Sequence, residues 1–185
     1  MIMTMVVDAC VQVSGWSALH IAAWNGLADL TRLLLQSRCC DVNLPGPGCV
    51  TPVLLAAQQR HSRVIGLLVA AGCDVTGRAT LRMRRGGVAG DVTALHVAAQ
   101  AGHAGVVRVL MDAGAVTDAT MTDGRLAGVT PLHLAVEAGH SDVIQLLVDA
   151  GSNVNARTIC LTPSPQSATA VSVIHSNCSS FSTNV

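Results

Sequence analysis

A block of 22 residues recurs four times along this chain without gaps, and it constrains the fold more than any other feature of the sequence. The blocks begin at Ser17, Thr51, Thr93 and Thr130. Thr51 lies 34 residues after Ser17, Thr93 lies 42 after Thr51, and Thr130 lies 37 after Thr93. Because all variation in length falls between the blocks, we expect copies of one supersecondary unit joined by loops of different length.

Each block opens with residues that favour the start of a helix. Its first residue is Ser or Thr, whose hydroxyl accepts a hydrogen bond from a backbone N–H of the first turn. Pro52 and Pro131 follow directly, at a position where a missing N–H costs nothing. Leu54 occupies the third helical position of the second block. The other blocks have a histidine there, placed to hydrogen-bond back to the cap: His20, His96 and His133.

A tight turn and a second helix are predicted in the rest of each block. Paired small residues, such as Ala98 and Ala99, allow a neighbouring helix to approach closely. The next turn has glycine, suited to a left-handed cap, in all blocks but the second: Gly26, Arg60, Gly102 and Gly139. Apolar residues then recur at i, i+3 and i+4, as at Val106, Val109 and Leu110, which indicates an amphipathic helix.

This pattern resembles the ankyrin repeat. The fourth unit, TPLHLAVEAGHSDVIQLLVDAGSNVNA, Thr130 to Ala156, follows the consensus of that family almost throughout. The resemblance covers roughly residues 15 to 157 and recurs four times in register. It implies an all-α solenoid of antiparallel helix pairs, with the intervening loops protruding as hairpin-like fingers.

The resemblance also divides the chain into segments. The four repeats are predicted at about 15–45, 46–77, 91–118 and 128–157, with insertions at about 78–90 and 118–127. Residues 1–14 are expected to be an N-terminal flank or the stub of an upstream repeat. Residues 158–185 are expected to form a Ser/Thr-rich, disordered tail or a degenerate fifth repeat, and a truncated isoform of a longer array fits the same pattern. Neither end shows clearly the polar outer face that normally closes such a stack.

Composition limits the classes of partner and the location. The formal net charge is 0, which argues against nucleic-acid binding and attraction to anionic membranes. The longest apolar run, Val64 to Cys73, is too short to span a bilayer, and the N-terminus lacks the pattern of a signal peptide. The seven cysteines include no CxxC pair and suit free thiols in a reducing compartment. We therefore expect an intracellular protein, cytoplasmic or nuclear, without membrane insertion.

The residue patterns do not indicate an enzyme, a cofactor site or a metal site. His20, His96 and His133 are each one or two repeats apart and stand at a capping position, so we interpret them as structural rather than metal-binding. The acidic residues are scattered singly, and no phosphate loop or nucleophile motif is present.

The family resemblance implies that a protein partner binds the fingers and the exposed face of the first helices. One column, just before the cap, consists of Trp16, Val50, Val92 and Val129. A second, after the small pair, consists of Trp24, Gln58, Gln100 and Glu137, with Asn25 and Gln59 beside it. Exposed tryptophan is a common interface anchor, and we expect Trp24 to be one. Trp16 has two open interpretations, as an anchor or as a residue that packs on its neighbouring finger.

The insertion ATLRMRRGGVAG, residues 79–90, adds a basic cluster to the predicted surface. Arg82, Arg84 and Arg85 lie in it, and Arg78 directly precedes it. We expect a mobile loop that helps to recognise an acidic partner. A weak nuclear-import patch and ion pairs with aspartates of an adjacent finger, such as Asp118, are the alternatives.

The leading function is a non-catalytic protein–protein interaction module, acting as a scaffold or adaptor. The alternatives are a substrate receptor or regulatory subunit of an enzyme complex such as a ubiquitin ligase, or an inhibitory ankyrin protein that masks a transcription factor. The last residues, Thr183-Asn184-Val185, also match weakly a C-terminal motif bound by PDZ domains.

Overall fold

The computed structural model describes residues 15–37, 40–82, 88–122 and 127–158. The flank predicted at residues 1–14, the tail predicted beyond residue 158 and the C-terminal motif Thr183-Asn184-Val185 lie outside this part of the chain. Eight α-helices are present in the described residues and form four pairs. The pairs are α1 (Ala18–Asn25) with α2 (Ala28–Gln36), α3 (Pro52–Gln58) with α4 (Ser62–Ala70), α5 (Ala94–Ala101) with α6 (Ala104–Asp112), and α7 (Pro131–Ala138) with α8 (Ser141–Asp149).

The predicted caps of the first helices are confirmed in three repeats. The hydroxyl of Thr93 accepts from the N–H of His96, and the N–H of Thr93 donates to the ring of His96. The same reciprocal arrangement starts α1 at Ser17 and α7 at Thr130. Among the described residues Thr51 makes no such side-chain bond, and α3 relies on its proline at the first turn instead.

The turns between paired helices use the left-handed backbone conformation that favours glycine. Gly26, Gly102 and Gly139 have φ angles of 70°, 73° and 76°. Arg60 occupies the same position in repeat two with a φ of 68°, a conformation that strains a residue with a Cβ. Repeat two therefore adopts the same left-handed turn as the other repeats, although it lacks the favoured glycine.

The helix pairs stack into two layers. The first helices α1, α3, α5 and α7 contact one another in series, and the second helices α2, α4, α6 and α8 form the other layer. Buried alanines on the first helices, such as Ala56 and Ala98, permit this close approach. One continuous apolar core, from Leu19 to Leu147, runs through all four repeats, as expected for units that bury their faces only against neighbours.

Histidines of repeats one, three and four join each of these repeats to the chain that follows it. The N–H of Ser17 donates to Nδ1 of His20 at 3.1 Å, so the ring proton lies on Nε2. That Nε2 donates to the carbonyl oxygen of Val50 at 3.0 Å. Equivalent bonds join His96 to Val129 and His133 to Ala156, at 3.2 and 3.0 Å.

A second row of histidine bonds joins adjacent repeats at the turns. Nε2 of His61 donates to the carbonyl oxygen of Trp24 at 3.1 Å. Nε2 of His140 donates to that of Gln100 at 3.2 Å. These bonds satisfy carbonyls at the ends of the first helices and fix the spacing between repeats.

The long finger between repeats two and three is a β-hairpin where the sequence predicts a loop. Strands β1 (Ala79–Arg82) and β2 (Val88–Val92) pair antiparallel, with Ala79 opposite Val92 and an irregularity between Ala79 and Leu81. Ala79, Ala89 and Val92 are buried, so one face of the hairpin joins the core. The N–H of Thr122 in the next finger donates to the carbonyl oxygen of Gly90 at 3.4 Å, and this bond links the two neighbouring fingers.

Candidate protein-binding surface

An apolar groove opens on the first helices of repeats one and two. It has a volume of about 310 Å³, and we call it the Trp24 groove. Its lining residues are Trp16, His20, Ile21, Trp24, Asn25 and Leu55. Trp24 is 43% exposed and Ile21 is 46% exposed, although both are large and apolar. The structure therefore places one of the predicted anchors in a concave apolar site.

Trp16 forms one wall of the groove and is half-buried. Its ring meets that of His20 edge-on, with centroids 5.3 Å apart. A Cβ added to Gly46, in the following finger, would lie 3.0 Å from the indole. Trp16 therefore packs on its neighbouring finger, which is one of the two interpretations that the sequence left open. One edge of its ring still faces the groove.

Val50, Val92 and Val129 do not offer the exposed side chains that we predicted. Their exposed fractions are 4%, 0% and 8%, which places them in the core. In repeats two, three and four the residue before the cap turns its side chain inward. The carbonyls of Val50 and Val129 accept from histidines of the preceding repeat. The prediction that these side chains contact a partner is therefore corrected.

The second predicted column lies at the ends of the first helices. Gln58 and Glu137 are exposed, and Gln100 is half-buried. Beside them, Gln59 is half-buried and Asn25 is exposed, with its amide donating to the carbonyl oxygen of Ile21 at 2.8 Å. Together with Trp24 these residues form a surface that crosses all four repeats.

The arginine cluster is only partly within the described residues. Arg82 ends β1, and Arg84 and Arg85 fall outside the described part of the chain. A guanidinium nitrogen of Arg78 lies 3.6 Å from a carboxylate oxygen of Asp91, in the same finger. The carboxylate of Asp118, an alternative partner from sequence, accepts from the backbone of Asn153 at 3.0 Å. The described ion pair thus lies within one finger rather than between fingers.

A family model described as ankyrin repeats (three copies) matches residues 3–79 and 80–158 of the chain. The chain belongs to the ankyrin-repeat family. No curated protein matches it significantly. Ankyrin repeats are generally protein–protein interaction modules, and proteins built from them are typically non-catalytic.

The first ankyrin repeat also exposes an apolar face that we did not single out from the sequence. Leu27, Leu30 and Leu33 are exposed on it, and we call it the leading face. The residues that match Leu30 in later repeats are all buried: Val64, Val106 and Val143. Leu27 stands where the later repeats have His61, His103 and His140, two of which bond to the preceding repeat. This column was the sequence signal for the exposed face, because a leucine at this position cannot make the bond that the histidines make to the preceding repeat.

The histidines of the ankyrin stack have structural roles. Burial lowers the pKa values of His20 and His133, and it lowers the pKa of His96 to about 4. These rings are therefore neutral at pH 7, in agreement with an Nδ1 that accepts a hydrogen bond. Burial also raises the pKa of the Cys73 thiol to about 11, so this sulfur is not an activated nucleophile.

The described residues of this ankyrin array contain no group of three or more His, Cys, Asp or Glu side chains that could hold a metal ion. None of the helices described for the chain combines the length and apolar character needed to cross a bilayer.

Proposed function

We propose that the protein is a non-catalytic scaffold or adaptor that binds a protein partner across its first helices, with Trp24 as the main anchor. The observation that carries the proposal is the exposure of Trp24 and Ile21 in an apolar groove. Groove volumes of about 300 Å³ suffice for a few side chains of a partner. An aromatic anchor that enters such a groove is a typical centre of binding energy.

Comparison among the repeats supports a binding role for Trp24. The matching residues in later repeats are Gln58, Gln100 and Glu137, so the fold itself does not require an aromatic ring at this position. A half-exposed indole leaves apolar surface in water that a partner would cover. The backbone carbonyl of Trp24 accepts from His61, and this bond does not depend on the side chain.

The proposed location is intracellular. Cys49 and Cys73 carry free thiols, which suits a reducing compartment. A ubiquitin-ligase substrate receptor or an inhibitor of a transcription factor would use the same surface. No contact among the described residues favours either alternative over a general adaptor.

The test is affinity capture of partners by the tagged chain, compared with Trp24→Ala and with Leu33→Ala as a matched control. Leu33 is more exposed than Trp24 but lies on α2, away from the groove lining. We expect partners that Leu33→Ala retains and Trp24→Ala loses by about tenfold or more. Circular dichroism and thermal melting of both variants check that the stack is intact. Partners captured equally by all three proteins would overturn the proposal.

A further inference from the structure

The exposed column of the first helices changes in chemistry from one end of the stack to the other. In chain order its residues are Trp24, Gln58, Gln100 and Glu137. The series runs from an aromatic ring through two amides to a carboxylate. None of the six residues that line the Trp24 groove is Asp, Glu, Lys or Arg. The two ends of one continuous surface therefore suit different side chains of a partner.

The charge of the repeats changes in the same direction. Residues 15–77 contain four arginines and three aspartates. Residues 93–157 contain three arginines and six acidic residues. Repeats three and four thus form an acidic half, whereas repeats one and two are nearly balanced. An acidic half repels phosphate-rich or anionic partners and attracts basic ones.

Glu137 is poorly placed for the stability of its own helix. It is the penultimate residue of α7, where a carboxylate faces the negative end of the helix dipole. It is exposed, and the corresponding positions of α3 and α5 carry neutral amides. The helix dipole therefore does not account for a carboxylate at this position of the column.

We infer that the partner segment lies across the four repeats in one fixed direction, with a large apolar residue in the Trp24 groove and a basic residue opposite Glu137. This inference rests on the proposed function. Three steps between adjacent first helices, at about 10 Å each, separate the two ends by about 30 Å. An extended segment covers that distance in about nine residues.

Peptide display on the intact 185-residue chain tests the inference. The probe is a library of random 16-residue peptides, selected in parallel on the unmodified chain, Trp24→Ala, Glu137→Gln and the control Leu33→Ala. We expect the unmodified chain and Leu33→Ala to enrich peptides with Trp, Phe or Leu about nine residues from Arg or Lys, in a constant order. Trp24→Ala should lose the apolar preference, and Glu137→Gln should lose only the basic one.

Affinities of one selected peptide provide the second readout. We expect Trp24→Ala to weaken binding by about tenfold or more, and Glu137→Gln by about three- to tenfold. Raising the salt concentration should weaken binding to the unmodified chain more than binding to Glu137→Gln.

The outcomes separate the inference from the function beneath it. Peptides that need Trp24 but show no basic preference, or show both orders equally, overturn the inference and leave the proposed surface standing. Failure to enrich any peptide, or peptides that bind Trp24→Ala as well as the unmodified chain, overturns both.

Discussion

Nε2 of His96 donates to the carbonyl oxygen of Val129 across the boundary between repeats three and four, at 3.2 Å. The other nitrogen of the ring accepts from the N–H of Thr93, also at 3.2 Å. The side chain is fully buried, and its pKa is lowered to about 4. One neutral imidazole thus caps a helix and joins two repeats, and a second proton would disrupt the cap.

The first prediction concerns the loss of stability at acidic pH. The folded pKa of His96, about 4, lies below the value of 6.5 for an unperturbed histidine. Above pH 6.5 the contribution of neutral His96 to the free energy of unfolding is complete. It is lost as the pH falls towards 4, because only the unfolded chain binds the proton between these two pH values. The expected loss from His96 is on the order of 3 kcal/mol in the free energy of unfolding.

Urea unfolding at several pH values from 7.5 to 4.5 measures this loss. His20 and His133 shift in the same direction and should add to it. His96→Gln should be less stable at pH 7.5 and should show a shallower decline with acid. A decline as steep as that of the unmodified chain would contradict the role given to His96.

The second prediction concerns the helix caps. Thr93→Ala removes a hydroxyl that accepts from the N–H of His96, and it should lower the free energy of unfolding by about 1 kcal/mol. Thr51→Ala is the matched control, because among the described residues the Thr51 hydroxyl makes no cap bond. Chemical denaturation of the two variants measures both losses in the free energy of unfolding. Equal losses would mean that the cap bond contributes nothing of its own.

The third prediction compares one substitution at two sites. Leu110 is fully buried in the core, whereas Leu33 on the leading face is 63% exposed. Leu110→Ala should destabilise the protein by about 2–5 kcal/mol, because it opens a cavity. Leu33→Ala should change stability by less than about 1 kcal/mol. Thermal and denaturant unfolding test both. A large loss in Leu33→Ala would show that the leading face is covered in solution.

The fourth prediction concerns the turn of repeat two. Arg60 has a φ of 68°, where glycine carries no steric penalty, so Arg60→Gly should stabilise the protein by about 1 kcal/mol. Gly139→Ala provides the reverse test at a φ of 76°, since no described residue has an atom within 4 Å of the added Cβ. It should destabilise by a similar amount. Melting temperatures that move in the same direction for both variants would contradict this account of strain.

Local chemistry alone predicted the regular parts of the molecule. The caps at Ser17, Thr93 and Thr130 were readable because capping depends on residues three positions apart. The glycine turns were readable because few residues accept a positive φ. Trp24 could be placed on the surface because the family resemblance assigns its column to the exposed face of the first helices.

Other features depend on neighbours that are distant in sequence. The burial of Val50, Val92 and Val129 was not predictable, because a valine before a cap faces inward only when the next finger packs against it. The strands of the long finger pair with each other and contact both adjacent fingers, and no local pattern in ATLRMRRGGVAG indicated this pairing.

The sequence by itself therefore determined the repeat, its helices, its turns and the family, because these follow from periodic residues acting within one unit. Only the tertiary structure decided which apolar side chains stay exposed. Ile21 and Leu30 have the composition of core residues, and their matches Leu55 and Val106 are buried. Among the described residues a preceding repeat covers Leu55 and Val106, and none lies against Ile21 and Leu30, so their exposure is a property of the stack rather than of any residue.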